Sequence, residues 1–263
     1  MVRICNNPRF INIFINRFIE DITIMQLKLL TLNIWRYESN WNERKERIIA
    51  FIRKEKPDIV FLQEVFDDMR HNEPGNHQAL QLNKELKFKH CVTHVIEQVI
   101  TEYGKVMTVP IFDSLACLTN LPVVHQHLHY LQKKLDDRHF RGMQEITLRV
   151  DGNEITFFHA HFSNRDDFAR WHTEETFALA CKQKKKPIII GDLNVLKSSV
   201  LPEVCGSLYD CSYDVKQYIS FPSKNETLDY VLIPRKSYKF KEIRCEGDNL
   251  SDHRALITVV EVA

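Results

Sequence analysis

Glycine is scarce in this chain, with 7 residues in 263. That excludes collagen-like and glycine-rich low-complexity architectures, and no proline- or glycine-rich linker divides the sequence. No run of about 18 apolar residues occurs, so no membrane-spanning helix is expected. Excess charge is missing too: 36 basic residues face 35 acidic ones, for a formal net charge of +1. No global field therefore draws the chain to a polyanion, and nucleic acid would have to be held by a local patch. The seven cysteines (Cys5, Cys91, Cys117, Cys181, Cys205, Cys211, Cys245) are odd in number and contain no CxxC pair. This disfavours a disulfide framework and a structural zinc site, and the thiols read as reduced, in a cytoplasmic compartment.

What is present fits one large globular domain, with 44% hydrophobic and 27% charged residues. We place that domain at 25–263, behind an N-terminal extension, 1–24. Within the extension Phe10, Ile11, Phe14, Ile15, Phe18 and Ile19 recur at helical spacing, so residues 9–22 are read as an amphipathic helix. A membrane-surface anchor there is the less favoured reading; a plain extension is favoured, and the protein is expected to be a monomer.

The informative pattern is a set of apolar, β-like runs that each end in a polar ligand. Leu27–Leu32 leads to Asn33, Ile59–Leu62 to Glu64, Ile188–Ile190 to Asp192, and Ser251-Asp252-His253 leads into the apolar run 255–262. Asp151-Gly152 between alternating segments signals a hairpin that delivers His159 and His161. Between the first two runs, Ile48, Ile49 and Ile52 among charges mark an amphipathic helix that Pro57 terminates. Strand, helix, strand is an α/β opening. Strands that end in ligands gather one polar cluster on a rigid scaffold, which reads as an enzyme.

The residue types suit hydrolysis at phosphorus. Glu64 and Asp192 are hard oxygen donors of the kind Mg²⁺ accepts. His161 and His253 carry protons near neutrality, and Asp229 is a candidate to fix the His253 tautomer. A serine hydrolase built on Ser251, Asp252 and His253 fails, because consecutive residues of an extended segment point to alternate sides. His125, His127 and His129 would share a strand face, yet no carboxylate or cysteine completes a zinc site there. His71 and His77 fall in a polar insertion and read as mobile loop residues. Lys182, Lys184, Lys185 and Lys186 read as a solvated face.

The ordered set Leu30-Thr31-Leu32-Asn33, Phe61-Leu62-Gln63-Glu64, Ala160-His161-Phe162, Ile190-Gly191-Asp192-Leu193-Asn194, Leu228-Asp229-Tyr230-Val231 and Ser251-Asp252-His253 resembles the exonuclease-endonuclease-phosphatase superfamily, from about Leu27 to Val262. The resemblance implies a four-layer α/β sandwich, two packed, mostly antiparallel β-sheets flanked by helices. It also implies a divalent-metal phosphoester site, with Mg²⁺ (or Mn²⁺) on Glu64 and with Asn33 and Asp252 close to it. Asp192 would activate water, Asn194 would hold a phosphoryl oxygen, and Asp229 with His253 would form the acid–imidazole pair. His161, together with the continuation Trp35-Arg36, resembles the histidine branch rather than the AP endonucleases. Arg141, before Gly142, is a candidate phosphate contact, against the alternative of a solvated loop arginine. The implied activity is a Mg²⁺-dependent, nuclease-like phosphodiesterase. The alternatives are a phospholipid or small-molecule phosphoesterase, and a binding protein that kept the fold.

Overall fold

The computed structural model describes residues 25–134, 137–196 and 199–262. The extension 1–24 and its amphipathic segment lie outside the described residues. The chain opens with β1 (Gln26–Asn33), α1 (Trp41–Glu55) and β2 (Ile59–Asp68). Asn40 caps α1: its side chain accepts from the Glu43 N–H and donates to the Glu43 carboxylate. Lys56 then turns into the left-handed region ahead of Pro57, which cannot continue the helix. This crossover lays β1 and β2 parallel, with Asn33 opposite Gln63.

The chain continues through α2 (Gln78–Leu86), β3 (His90–Gln98), the short hairpin β4 (Thr101–Glu102) and β5 (Lys105–Val106), β6 (Ile111–Thr119), β7 (Val123–Tyr130), β8 (Gly142–Val150) and β9 (Asn153–His161). There follow α3 (Asp166–Lys182), β10 (Ile188–Asp192), α4 (Val200–Cys205), β11 (Tyr209–Cys211), α5 (Ser212–Val215), β12 (Asp229–Pro234), β13 (Tyr238–Glu246) and β14 (Ala255–Val262). Two six-stranded sheets result, ordered β13-β14-β1-β2-β6-β3 and β11-β12-β10-β9-β8-β7. Each is antiparallel except for one parallel pair, β1 with β2 and β9 with β10, and each parallel pair is joined by a helix.

Strand residues alternate between two environments, because successive side chains leave opposite faces. Leu29, Phe61, Phe157, Ile188, Ile190 and Val231 meet between the sheets. Leu30, Val60 and Leu62 face α1 and α2, while Phe158, Ile189 and Leu232 face α3. The layers are therefore helix, sheet, sheet, helix, as the resemblance implies. Burial on both faces explains why Ile59–Leu62 and Ile188–Ile190 are apolar without alternation. Phe61 and Phe157, ring centroids 5.4 Å apart, span the two sheets, and each fully buried side chain of that size contributes about 1.5–3 kcal/mol.

Several local expectations change. The edge strand β13 is not among the expected strands: its alternation of Tyr238 and Phe240 with lysines is broken by a register shift between Phe240 and Glu242. His77 is no mobile loop residue: its Nδ1 accepts from Leu80 N and caps α2. His71 stacks on Tyr37, with centroids 4.7 Å apart. A carboxylate does reach the β7 histidines, since Glu145 on the neighbouring strand sits 2.6 Å from His129 Nε2. The six cysteines among the described residues are free, and no helix among those residues is long and apolar enough to cross a membrane.

Candidate active site

Period-two alternation carries the inner face of each strand to the same end of the sandwich. Continuing Leu27 and Leu29 along β1 brings Asn33 to that end; Ile155 and Phe157 lead to His161, Ile188 and Ile190 to Asp192, and Val231 leads back to Asp229. Asp192 pairs in register with His161 on one side and Asp229 on the other. The turn before β14 adds Asp252 and His253. A cleft of about 270 Å³ opens over them, lined also by Arg36, Asp113, Arg141 and Lys224.

Glu64 needs a special device, because in an uninterrupted strand it would share the outward face of Leu62. The β2–β6 register shifts between Leu62 and Val65, a β-bulge, and Glu64 itself has φ 52°. A non-glycine residue in the left-handed region costs about 1–3 kcal/mol and persists only where its surroundings impose it. The bulge turns the Glu64 carboxylate to the inner face, where Oε1 accepts from Asn33 Nδ2 at 3.2 Å and Oε2 pairs with Arg36 Nε at 3.1 Å. Gly191 serves the same end on β10. Its φ is 139°, and a Cβ there would lie 2.1 Å from the Ala160 carbonyl oxygen.

Asp192 is the hub. Its Oδ2 accepts from Asn33 Nδ2 at 3.0 Å and lies 3.6 Å from His161 Nε2 and 3.8 Å from His253 Nε2. Its Oδ1 accepts from the Asn194 backbone N–H at 3.1 Å. The other nitrogen of His253, Nδ1, is 2.8 Å from Asp229 Oδ2. Burial opposes the His253 imidazolium, but Asp229 and Asp192 outweigh it and lift the group to about 10. Burial pushes Asp192 up to about 7 against the pull of His253. His161 is driven well below its usual value by burial, with Arg141 and His253 adding repulsion, so its ring is neutral. Glu64 would be raised by burial, yet Arg36 and Asn33 hold it below the ordinary carboxylate range, ionised.

Eight of the nine residues singled out from the sequence line the cleft, and the ninth, Asp229, is buried behind His253; two details change. Asn33 turns its amide N–H groups to Glu64 and Asp192 while its Oδ1 accepts from Trp35 N at 2.9 Å, so it orients carboxylates rather than offering an oxygen to a cation. Arg141 is no solvated loop residue. It is buried, its Nη1 lies 3.2 Å from His161 Nε2 and 3.3 Å from Nδ1, and its Nε has no partner among the described residues. Asn194 is fixed by its Nδ2 donating to the Phe162 carbonyl at 3.1 Å.

Sequence reasoning missed three contributors. Arg36 bridges Glu64 and Glu102. Arg44, buried in α1, donates to the carbonyls of Ile34, Arg36 and Glu38 at 2.6, 2.9 and 2.8 Å, and so holds the left-handed turn that presents Arg36. Its only sequence trace was a charge on the apolar side of a helix. Asp113 stands inside the apolar run of β6, and that interruption was the available signal.

Two packed sheets with a carboxylate–histidine cluster at one end of the inner layer define a deoxyribonuclease-I-like α/β sandwich. The chain belongs to the endonuclease/exonuclease/phosphatase family, whose model matches residues 30–253. Among solved structures it is similar to an endonuclease/exonuclease/phosphatase from Beutenbergia cavernae, with 17% identity, TM-score 0.73, and 90% of this chain and 72% of that one covered. It is also similar to the human Nocturnin catalytic domain with bound sulfate, with 18% identity, TM-score 0.67, and 94% and 99% covered. The mannosyl-6-phosphatase of Bacteroides thetaiotaomicron matches with 15% identity, TM-score 0.65, and 90% and 99% covered. At such identities the likeness shows the fold alone. A comparison with curated protein sequences gives no significant match.

Proposed function

We propose that the protein is a Mg²⁺-dependent phosphoester hydrolase, with Mn²⁺ able to substitute. The observation that carries this reading is the chain Asp229–His253–Asp192, with spacings of 2.8 and 3.8 Å, set beside an ionised Glu64 and a buried arginine with a free donor. The residues fit a hard divalent cation. Glu64 and Asp252 supply carboxylate oxygens in the cleft, and such sites use one or two carboxylates while leaving room for water and phosphate. The trio Asp192, Asp229 and His253 is also compact enough for an ion. It suits one less, because both His253 ring nitrogens already face carboxylates and a cation would have to displace the proton that Asp229 and Asp192 retain. When bound, the cation would neutralise charge developing on the phosphoryl oxygens.

This chain's own groups supply the rest. Asp192, held by Asn33 and by the Asn194 backbone, accepts a proton from the attacking water and orients it. His253, kept charged by Asp229, donates its Nε2–H toward the phosphoryl group. Arg141 offers its unsatisfied N–H to a non-bridging oxygen, which buried charge-assisted hydrogen bonds favour. Neutral His161 separates Arg141 from Asp192 and offers one ring nitrogen as donor or acceptor. The test is hydrolysis of p-nitrophenyl phosphate and bis-p-nitrophenyl phosphate with Mg²⁺ or Mn²⁺, using Glu64→Gln and His253→Ala as comparisons. Full rates in EDTA, or near-wild-type rates in both variants, would sink it.

A further inference from the structure

His125, His127 and His129 alternate along β7, and alternate residues of a strand leave the same face, so the three imidazoles form one row. None of them lines the cleft over Asp192. Their face is the outer one, toward α3: on β8 it carries Met143 and on β9 Phe158, both of the core beneath that helix. β7 ends its sheet, and no strand among the described residues pairs with its other edge. From β8, Glu145 stands directly opposite His127 in the ladder and sends its carboxylate diagonally to His129, where Oε2 lies 2.6 Å from Nε2. Gln183, just beyond α3, donates to the other carboxylate oxygen at 3.4 Å. The His127 ring lies beside that of His129, centroids 4.6 Å apart, edge to face. His125 and His127 are exposed and make no hydrogen bond or ion pair among the described residues.

An ion pair would use one histidine and one carboxylate and leave the rest of the row idle. Two imidazoles two positions apart on a strand, with a carboxylate on the adjacent strand, are instead the donors of a borderline transition metal. Imidazole suits zinc, copper and nickel, whereas all-oxygen sets suit magnesium. Zinc with three protein ligands keeps its fourth, tetrahedral position for water. Tetrahedral bonds of about 2.1 Å hold neighbouring donor atoms about 3.4 Å apart, so His129 and Glu145 need to part by about 0.8 Å from their 2.6 Å contact. The hydrogen they share leaves to solvent as the cation takes its place. The His127 nitrogens do not yet converge with those two donors. Ladder partners have Cβ atoms about 4.5–5.5 Å apart, and His127 reaches Glu145 by turning an exposed ring that no partner holds. Gln183 keeps the carboxylate oriented, as outer partners of metal ligands do.

We propose that His127, His129 and Glu145 form a binding site for a borderline divalent metal ion, Zn²⁺ above all, separate from the hydrolytic cleft. His125 stands next in the row, within the same face, for the position that water otherwise takes. The ion ties the edge strand β7 to β8. The experiment titrates Zn²⁺ calorimetrically into the full chain, carrying no added histidine tag, with excess Mg²⁺ present to fill hard-oxygen positions. Because Asp192, Asp229 and His253 also offer donors, the readout is the difference between proteins. The double variant His127→Ala, His129→Ala is expected to lose one zinc equivalent that the wild type binds. Glu145→Gln is expected to weaken that equivalent by about a hundredfold or more, since loss even of an outer partner of a ligand costs roughly 10–100-fold. Zinc is also expected to raise the melting temperature of the wild type more than that of the double variant, because an ion bound only by the folded chain stabilises it. If the double variant does not fold, His127→Ala alone, at an exposed position, reads the same equivalent, and NMR of the wild-type protein shows whether zinc shifts the His127 and His129 ring signals. Equal zinc stoichiometry and affinity in wild type and folded variants, ring signals that zinc leaves unmoved, or a wild type that binds no zinc overturns the proposal.

Discussion

Replacing Asp229 by asparagine keeps the shape of the side chain and removes its charge from a group with no solvent exposure. The partner imidazole, His253 at 2.8 Å, is raised from 6.5 to about 10 in the folded protein. At 1.36 kcal/mol for each factor of ten, that rise is worth about 5 kcal/mol, net of burial. Asp229 is the first of the charges that raise it, and removing one partner of a buried, hydrogen-bonded pair costs about 3 kcal/mol. The sign follows from linkage. A raised folded-state value means the stabilisation is complete below the unfolded value near 6.5 and is lost as pH rises through about 10. Asp229→Asn should therefore destabilise the metal-free protein by about 3 kcal/mol near pH 6 and by much less above about pH 10, where the wild-type ring is itself neutral. Urea unfolding in EDTA at the two pH values measures this, and NMR titration of the His253 ring gives its value directly. An equal loss of stability at both pH values would refute the electrostatic account, as would a wild-type ring that titrates below 7.

Glu64→Gln should abolish Mg²⁺ or Mn²⁺ binding in calorimetry while circular dichroism stays native, because the amide oxygen keeps the Asn33 contact and only the charge and its Arg36 ion pair are lost. Gly191→Ala should destabilise by more than about 3 kcal/mol, since its Cβ would meet a backbone carbonyl that cannot yield; a melting temperature close to wild type would contradict the close approach. Arg44→Met leaves buried carbonyls without their donor and should cost about 3 kcal/mol, together with activity, because the turn carrying Arg36 is released; retained activity in a destabilised variant would show that this turn is not coupled to the site. His159, buried and lowered to about 3, favours the folded state above 6.5 and loses that contribution as pH falls toward its folded value. His159→Gln should accordingly move the acid-unfolding midpoint to lower pH, and an unmoved midpoint would assign acid lability elsewhere.

Much of the site was legible because strand periodicity and ligand chemistry coincide in the sequence. Asn33, Glu64, Asp192 and His161 each follow an apolar run, and inner-face alternation carries all but Glu64 to one end of the sandwich. Glu64 is there by virtue of a bulge, which has no signature in Phe61-Leu62-Gln63-Glu64, because the register shift depends on the partner strand β6. Arg36 and Asp113 were hidden for a similar reason. Their roles come from the Arg44-held turn and from the neighbours of a central strand, both tertiary. The edge strand β13 is hard to read because its alternation, Tyr238 and Phe240 against Lys239 and Lys241, is broken by the bulge between Phe240 and Glu242. For Arg141 the sequence leaves a phosphate contact and a solvated loop arginine both open, because the loop before it is charged; Glu97 folds that loop back over the cleft.

The same geometry explains why the site is electrically incomplete as the protein alone presents it. Burial raises Asp192, Asp113 and Asp252, and each is further opposed by a neighbouring carboxylate. Glu64 is lowered instead, and Arg36 is the charge chiefly responsible. A cluster of this kind, assembled from two sheets and tied across them by the 3.0 Å contact from Asn33 to Asp192, gains nothing for the fold from its mutual repulsion. The bulge at Glu64 adds strain of its own. Such costs are retained where a ligand removes them, and a divalent cation with a phosphoryl group supplies the missing charges: positive for Glu64 and Asp252, negative for His253 and Arg141.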